Sequence, residues 1–71
     1  HRLYAYLRMD GNSAVLTVLN NDSMDQYITL MLPKKASIAF DLMTTEPVEL
    51  TEEGNIKVFC EAHGGRIIKL K

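Results

Sequence analysis

The chain has 71 residues, 8 Lys and Arg against 9 Asp and Glu, a net charge of −1 and one cysteine. A chain this short makes one domain, residues 1–71, and hides only about 60% of its unfolded surface, so its core is thin. Scattered basic residues exclude the charge footprint of a nucleic-acid or anionic-membrane binder, a lone Cys60 excludes an intrachain disulfide, and the distant His1 and His63 do not make a zinc site.

No apolar run is long enough to span a bilayer, and no signal peptide is read. Scaffolds of this size usually need a staple, and with disulfide and metal set aside, a partner surface is expected. The chain also begins with His1 rather than Met, as a piece of a longer protein would.

Short apolar segments separated by turn residues about every ten positions are the mark of an all-β domain. "LYAYLRMD" alternates, Leu3, Ala5, Leu7 and Met9 on one face against Tyr4, Tyr6 and Arg8 on the other. Asp10-Gly11 then predicts a tight hairpin. "AVLTVLN" is apolar on both faces, Leu16 and Val18 against Val15 and Leu19, which predicts a central strand covered on both sides.

"NNDS" predicts a turn, and "MDQYITLML" is ambiguous. Ser23 and Gln26 fit a helix capping box, whereas Ile28, Leu30 and Leu32 fit one face of a strand ended by Pro33. A strand is favoured because its neighbours are strands. "SIAFDLM" puts Ile38, Phe40 and Leu42 on one face, and "VEL" makes a short return with Val48 and Leu50 on one side. "TEEGN" turns at Gly54, "IKVFCE" alternates Ile56, Val58 and Cys60 against Lys57, Phe59 and Glu61, and "RIIKLK" directs Ile68 and Leu70 inward. The expected fold is a small antiparallel β-sandwich of about seven strands with hairpin and Greek-key-like connections.

Read in order, "YAYLR", "AVLTVLNND", "AFDLMTTEPVEL", "GNIKV" and "GGRIIKL" resemble the C-terminal domain of the α-amylase family of glycoside hydrolases, of the neopullulanase, cyclomaltodextrinase and maltogenic amylase type. Tyr4, Tyr6, Arg8, Asn20, Asp41, Leu42, Glu46 and Gly65 fall on the positions of that pattern, which spans about Leu3 to Leu70. Thr45 stands where the family often has Gly, and "EAH" replaces a proline-containing approach to the last strand. The resemblance implies a bacterial enzyme that cleaves α-glucosidic bonds of starch-derived glucans by a retaining, two-carboxylate route. It implies that both catalytic carboxylates lie on a preceding (β/α)8 barrel, so no acidic residue here inherits their role. The domain itself is then non-catalytic, binds no cofactor, and packs on the barrel to stabilise it.

Within the chain, Ser13, Ser23 and Ser37 lie beside turns and none sits in a G-x-S-x-G elbow. "HGGR" (His63 to Arg66) could be a backbone cradle for an oxyanion, but a reversal between two strands explains it without one, with Gly64 and Gly65 supplying positive φ. Cys60 reads as a small buried hydrophobe, and Phe40 and Phe59 as core or interface residues. Tyr4, Tyr6 and Arg8 are the candidate site, either as a barrel-contact face or as an α-glucan platform, since flat aromatics suit the apolar side of a sugar. An isolated domain is open to homodimerising through the same face, and an unrelated small interaction domain is the third class carried forward.

Overall fold

The computed structural model describes residues 2–33 and 35–71. Six strands form: β1 (Leu3–Asp10), β2 (Ser13–Asn20), β3 (Gln26–Leu30), β4 (Ala39–Asp41), β5 (Ile56–Cys60) and β6 (Gly65–Leu70). All pair antiparallel, in a four-stranded sheet of order β1-β2-β6-β4 and a two-stranded sheet of β3 and β5.

The β1–β2 hairpin closes on the pair Asp10↔Ser13, with Gly11 and Asn12 between them. Of those two only Gly11 has positive φ, at 62°, the pattern of a type II′ turn, whose twist matches that of the flanking strands. Ser13 Oγ donates to the Asp10 carbonyl across the same turn, at 3.1 Å.

Strand alternation then decides what is inside. Ala14, Leu16 and Val18 of β2, Ile68 and Leu70 of β6, Ala39 of β4, and Ile56, Val58 and Cys60 of β5 are buried in one cluster fed by both sheets. The ambiguous segment is strand rather than helix. As β3 it places Ile28 against Val58 and Leu30 against Ile56, and both side chains pack on the cluster. A helix would have left β5 without a neighbour along its length.

About seven strands were expected and six are present, because "VEL" does not form one. Residues 46–50 divide their backbone bonds between the sheets: the Glu46 carbonyl accepts from Asp41 N–H and Val48 N–H donates to Ala39, while the Glu49 carbonyl accepts from Lys57 N–H. Only isolated bridges result, Phe40↔Pro47 and Leu50↔Ile56. Pro47 has no N–H to continue a ladder, so the segment serves as a strap from the edge of β4 to the edge of β5. Val48 and Leu50 still share one side and pack on the core.

Two buried polar side chains complete the join. Asn20, 2% exposed at the end of β2, donates its amide to the carbonyls of Met24 (2.8 Å), Cys60 (3.1 Å) and Glu61 (3.1 Å), and its Oδ1 accepts from Asp22 N–H (3.0 Å). Asp41 is also buried: Oδ1 caps the following turn by accepting from Met43 and Thr44 N–H, and Oδ2 meets Arg66 at 3.3 Å. Arg66 in turn donates Nε to the Phe59 carbonyl (3.0 Å) and a terminal nitrogen to Glu61 (2.6 Å). It thereby links β6, β4 and β5. No buried side-chain nitrogen or oxygen among the described residues lacks a partner.

The turns contain one correction. In the reversal before β6 the left-handed residue is His63, at φ 55°, and not Gly64 or Gly65. Histidine is among the few non-glycine residues enriched in that region. Gly65 is needed for space instead, since a Cβ there would lie 3.0 Å from Leu19 Cδ2 and 3.3 Å from the Val18 carbonyl. Among the described residues Thr45, after β4, is the other left-handed residue outside glycine, at φ 63°. A β-branched side chain there is strained by about 1–3 kcal/mol.

Two stability effects follow. Asn20→Asp keeps the shape but turns an oxygen toward three carbonyls, and is expected to cost about 3 kcal/mol or more, read as a lowered urea midpoint at unchanged slope. Thr45→Gly removes the strain at some cost in unfolded-state entropy, and is expected to add about 1 kcal/mol by the same measurement.

Candidate functional site

The register of the four-stranded sheet determines what its outer face presents. Residues directly opposite one another share a face, so Tyr4, Leu19 and Gly65 form one row. Tyr6, Thr17 and Ile67 form the next, and Leu42, whose N–H donates to the Ile67 carbonyl, extends it. Arg8, Val15, Lys69 and Phe40 form the third. The predicted trio Tyr4, Tyr6 and Arg8 is thus brought together on one face, as alternation required, and joined by apolar neighbours from three further segments.

That face is uncovered. Tyr4 and Tyr6 are 58% and 63% exposed, Leu19 50%, Leu42 44% and Ile67 38%. The contrast within β6 is sharp: Ile67 looks out, while Ile68 is fully buried. Small residues flatten the middle of the face, since Gly65 lets Leu19 lie across it and Thr17 separates Tyr6 from Ile67. Flat, aromatic and aliphatic, with cations only in the third row, the surface has the chemistry of a contact that excludes water.

Here β2 corrects an expectation. It is central, with β1 on one side and β6 on the other, but it is covered on one face only. Its apolar residues of both parities therefore carried a second message: one set builds the core and the other builds the outer face. The same double pattern in "RIIKLK" was the signal for Ile67. Ile38, Phe40 and Leu42 do share a face, but it is Ala39 and Asp41 that point inward.

The other positions carried by the resemblance are structural. Asn20 and Asp41 are the buried ties described above, Glu46 contributes its backbone carbonyl to Asp41, and Gly65 accommodates Leu19. Arg66 was missed as a tie between sheets, although its parity with Ile68 and Leu70 points it inward.

The remaining candidates form no reactive arrangement among the described residues. Ala62 N–H donates to Asp25 Oδ1 (2.9 Å) and His63 N–H to the Asp22 carbonyl (3.1 Å), binding two turns together, while Gly64 N–H closes its own turn on the Glu61 carbonyl (2.9 Å), so the His63 and Gly64 donors are engaged. Ser23 borders the same cleft as His63, and no hydrogen bond joins them. Ser13 and Ser37 hydroxyls donate to the Asp10 and Lys71 carbonyls. Cys60 is fully buried, and burial pushes its thiol above the ordinary value, which keeps it protonated. On the outer side of the smaller sheet, Tyr27 and Phe59 are directly opposed, with ring centroids 4.8 Å apart.

No protein-family model matches the chain, and no curated protein matches it with significance. The candidate site therefore rests on geometry. If the outer face is a contact surface and not part of the core, Ile67→Ala is expected to change the chain's stability by less than about 1 kcal/mol, while Ile68→Ala costs about 2–5 kcal/mol. Thermal and urea melts of the two variants measure the difference.

Proposed function

We propose that the chain is a non-catalytic β-sandwich that follows the catalytic (β/α)8 barrel of an α-amylase-family glucan hydrolase of the neopullulanase type. In this reading the face bearing Tyr4, Tyr6, Leu19 and Ile67 packs on the barrel and stabilises the whole enzyme. The observation that carries it is that uncovered apolar face, on a chain with no disulfide in which "YAYLR", "AFDL" and "GGRIIKL" resemble that family in order and spacing. The strap at 46–50 stands in for the seventh strand of the proposed sandwich. Burying a few hundred Å2 of apolar surface against a neighbour would contribute several kcal/mol at ~25 cal/mol per Å2.

A second reading has one observation behind it. Tyr4 and Tyr6 stand at i and i+2 on one face, each more than half exposed, and such a pair can stack an α-glucan. The two readings separate cleanly. The packing role predicts, upstream in the coding sequence, a barrel with its paired carboxylates. It also predicts that Ile67→Asp in that full protein lowers the melting temperature by several degrees, and that the 71-residue chain by itself shows no detectable glucan affinity. Absence of the barrel would overturn the proposal, and maltooligosaccharide binding abolished by Tyr6→Ala would replace it with the platform.

A further inference from the structure

The long open edge of the molecule is β1. The Arg2 carbonyl accepts from Asn21 N–H on the β2 side, at 2.8 Å. Because backbone direction alternates along a strand, the groups of Tyr4, Tyr6, Arg8 and Asp10 also face β2. Those of Leu3, Ala5, Leu7 and Met9 therefore point out of the sheet, and among the described residues no other segment bonds to them. The segment Leu30–Pro33 borders a cleft beside Ala5 and Leu7 without bonding to that edge.

The edges of β4 and β5 are managed. The outer edge of β4 is only three residues long and is bonded by Glu46 and Val48, and that of β5 is met by Glu49 and Leu50. The free edge of β3 runs for five residues with no charge to set a register. By contrast β1 has eight residues, no Pro and no Lys, and its ladder to β2 is unbroken by any bulge. Shortness, Pro, Lys and bulges are devices that ordinarily prevent edge pairing, and β1 has none of these; its only charges are Arg8 and Asp10.

We propose that β1 binds β1 of a second copy of this chain, antiparallel about a two-fold axis at Tyr6, so that two four-stranded sheets become one continuous sheet. The sequence of the strand fixes that register. With Tyr6 opposite its own copy, Arg2 faces Asp10, Tyr4 faces Arg8, Leu3 faces Met9 and Ala5 faces Leu7. Each contact occurs twice by symmetry: an ion pair, a cation over an aromatic face, and two apolar pairs. Arg2 and Asp10 are exposed and form no ion pair among the described residues, and the dyad supplies one for each.

Neighbouring registers fail. Centring on Ala5 sets Arg2 against Arg8, and centring on Leu7 sets Arg2 against Asn12 and Tyr4 against Asp10. The bonding phase agrees as well, because Leu3–Met9 and Ala5–Leu7 are then the pairs that exchange backbone bonds outward. This pairing uses the sheet edge rather than the face proposed to meet a barrel, and holds whichever partner covers that face.

Sedimentation of the 71-residue chain over a range of concentrations is the test. A monomer–dimer equilibrium is expected, with Arg2→Asp and Asp10→Arg each weakening it about tenfold and the double variant restoring it. Both positions are exposed, so circular dichroism of these variants should match the parent. Ala5→Pro, which removes an outward N–H, is expected to abolish the dimer. A chain that stays monomeric to millimolar concentration overturns the proposal. So does a dimer indifferent to the single charge reversals, and one lost instead on Ile67→Lys would put the contact on the outer face.

Discussion

The amide of Asn20 ties the two sheets together with directional bonds at a point where side-chain packing alone would let them shift. It sits at the end of the central strand of the larger sheet and reaches the carbonyls where β5 ends. With no disulfide among the described residues and a thin core, the fold has few other fixed points between the layers. Arg66, bonded at once to Phe59, Asp41 and Glu61, is a second such point from the neighbouring strand. The strap at 46–50 is the third, made of backbone. These three lie around one core, so the relative placement of the sheets depends on polar groups whose satisfaction is directional, whereas apolar contact alone would let the layers slide.

What could be read in the sequence follows from what period-two patterning encodes. It records which residues share a face, and so it located β1, β2, β5 and β6 and the inward set Leu16, Val18, Ile56, Val58, Ile68 and Leu70. It does not record whether a face is covered. Hence β2 was read as enclosed when one side of it is open, and the exposed roles of Leu19 and Ile67 became visible only once register aligned them with Tyr4 and Tyr6. Nor does it record where a segment sends its backbone bonds. "VEL" has the alternation of a strand, yet Val48 and Glu49 bond to different sheets. Buried polar ties were the least legible, because Asn20 and Arg66 are spelled like a turn residue and a surface cation.

The turns show a similar division. Asp10-Gly11 predicted its hairpin through a backbone requirement that glycine meets. Before β6 a glycine is not what the backbone requires, since His63 takes the left-handed position and Gly65 answers a demand for room beside Leu19. Thr45 also has a left-handed backbone, which glycine would adopt without strain. A threonine held in that conformation is tolerated because Asp41, through both its carboxylate and its carbonyl, secures the turn on the side facing β4.

Cys60 gives the molecule an internal clock. Its sulfur lies between the layers, on the strand that Asn20 holds, and no water reaches it while they remain apposed. An opening that uncovers the core side of β5 admits a thiol reagent, so the rate of labelling in native buffer reports such openings. The lone thiol, silent in the folded chain, therefore reports how tightly the two layers are held together.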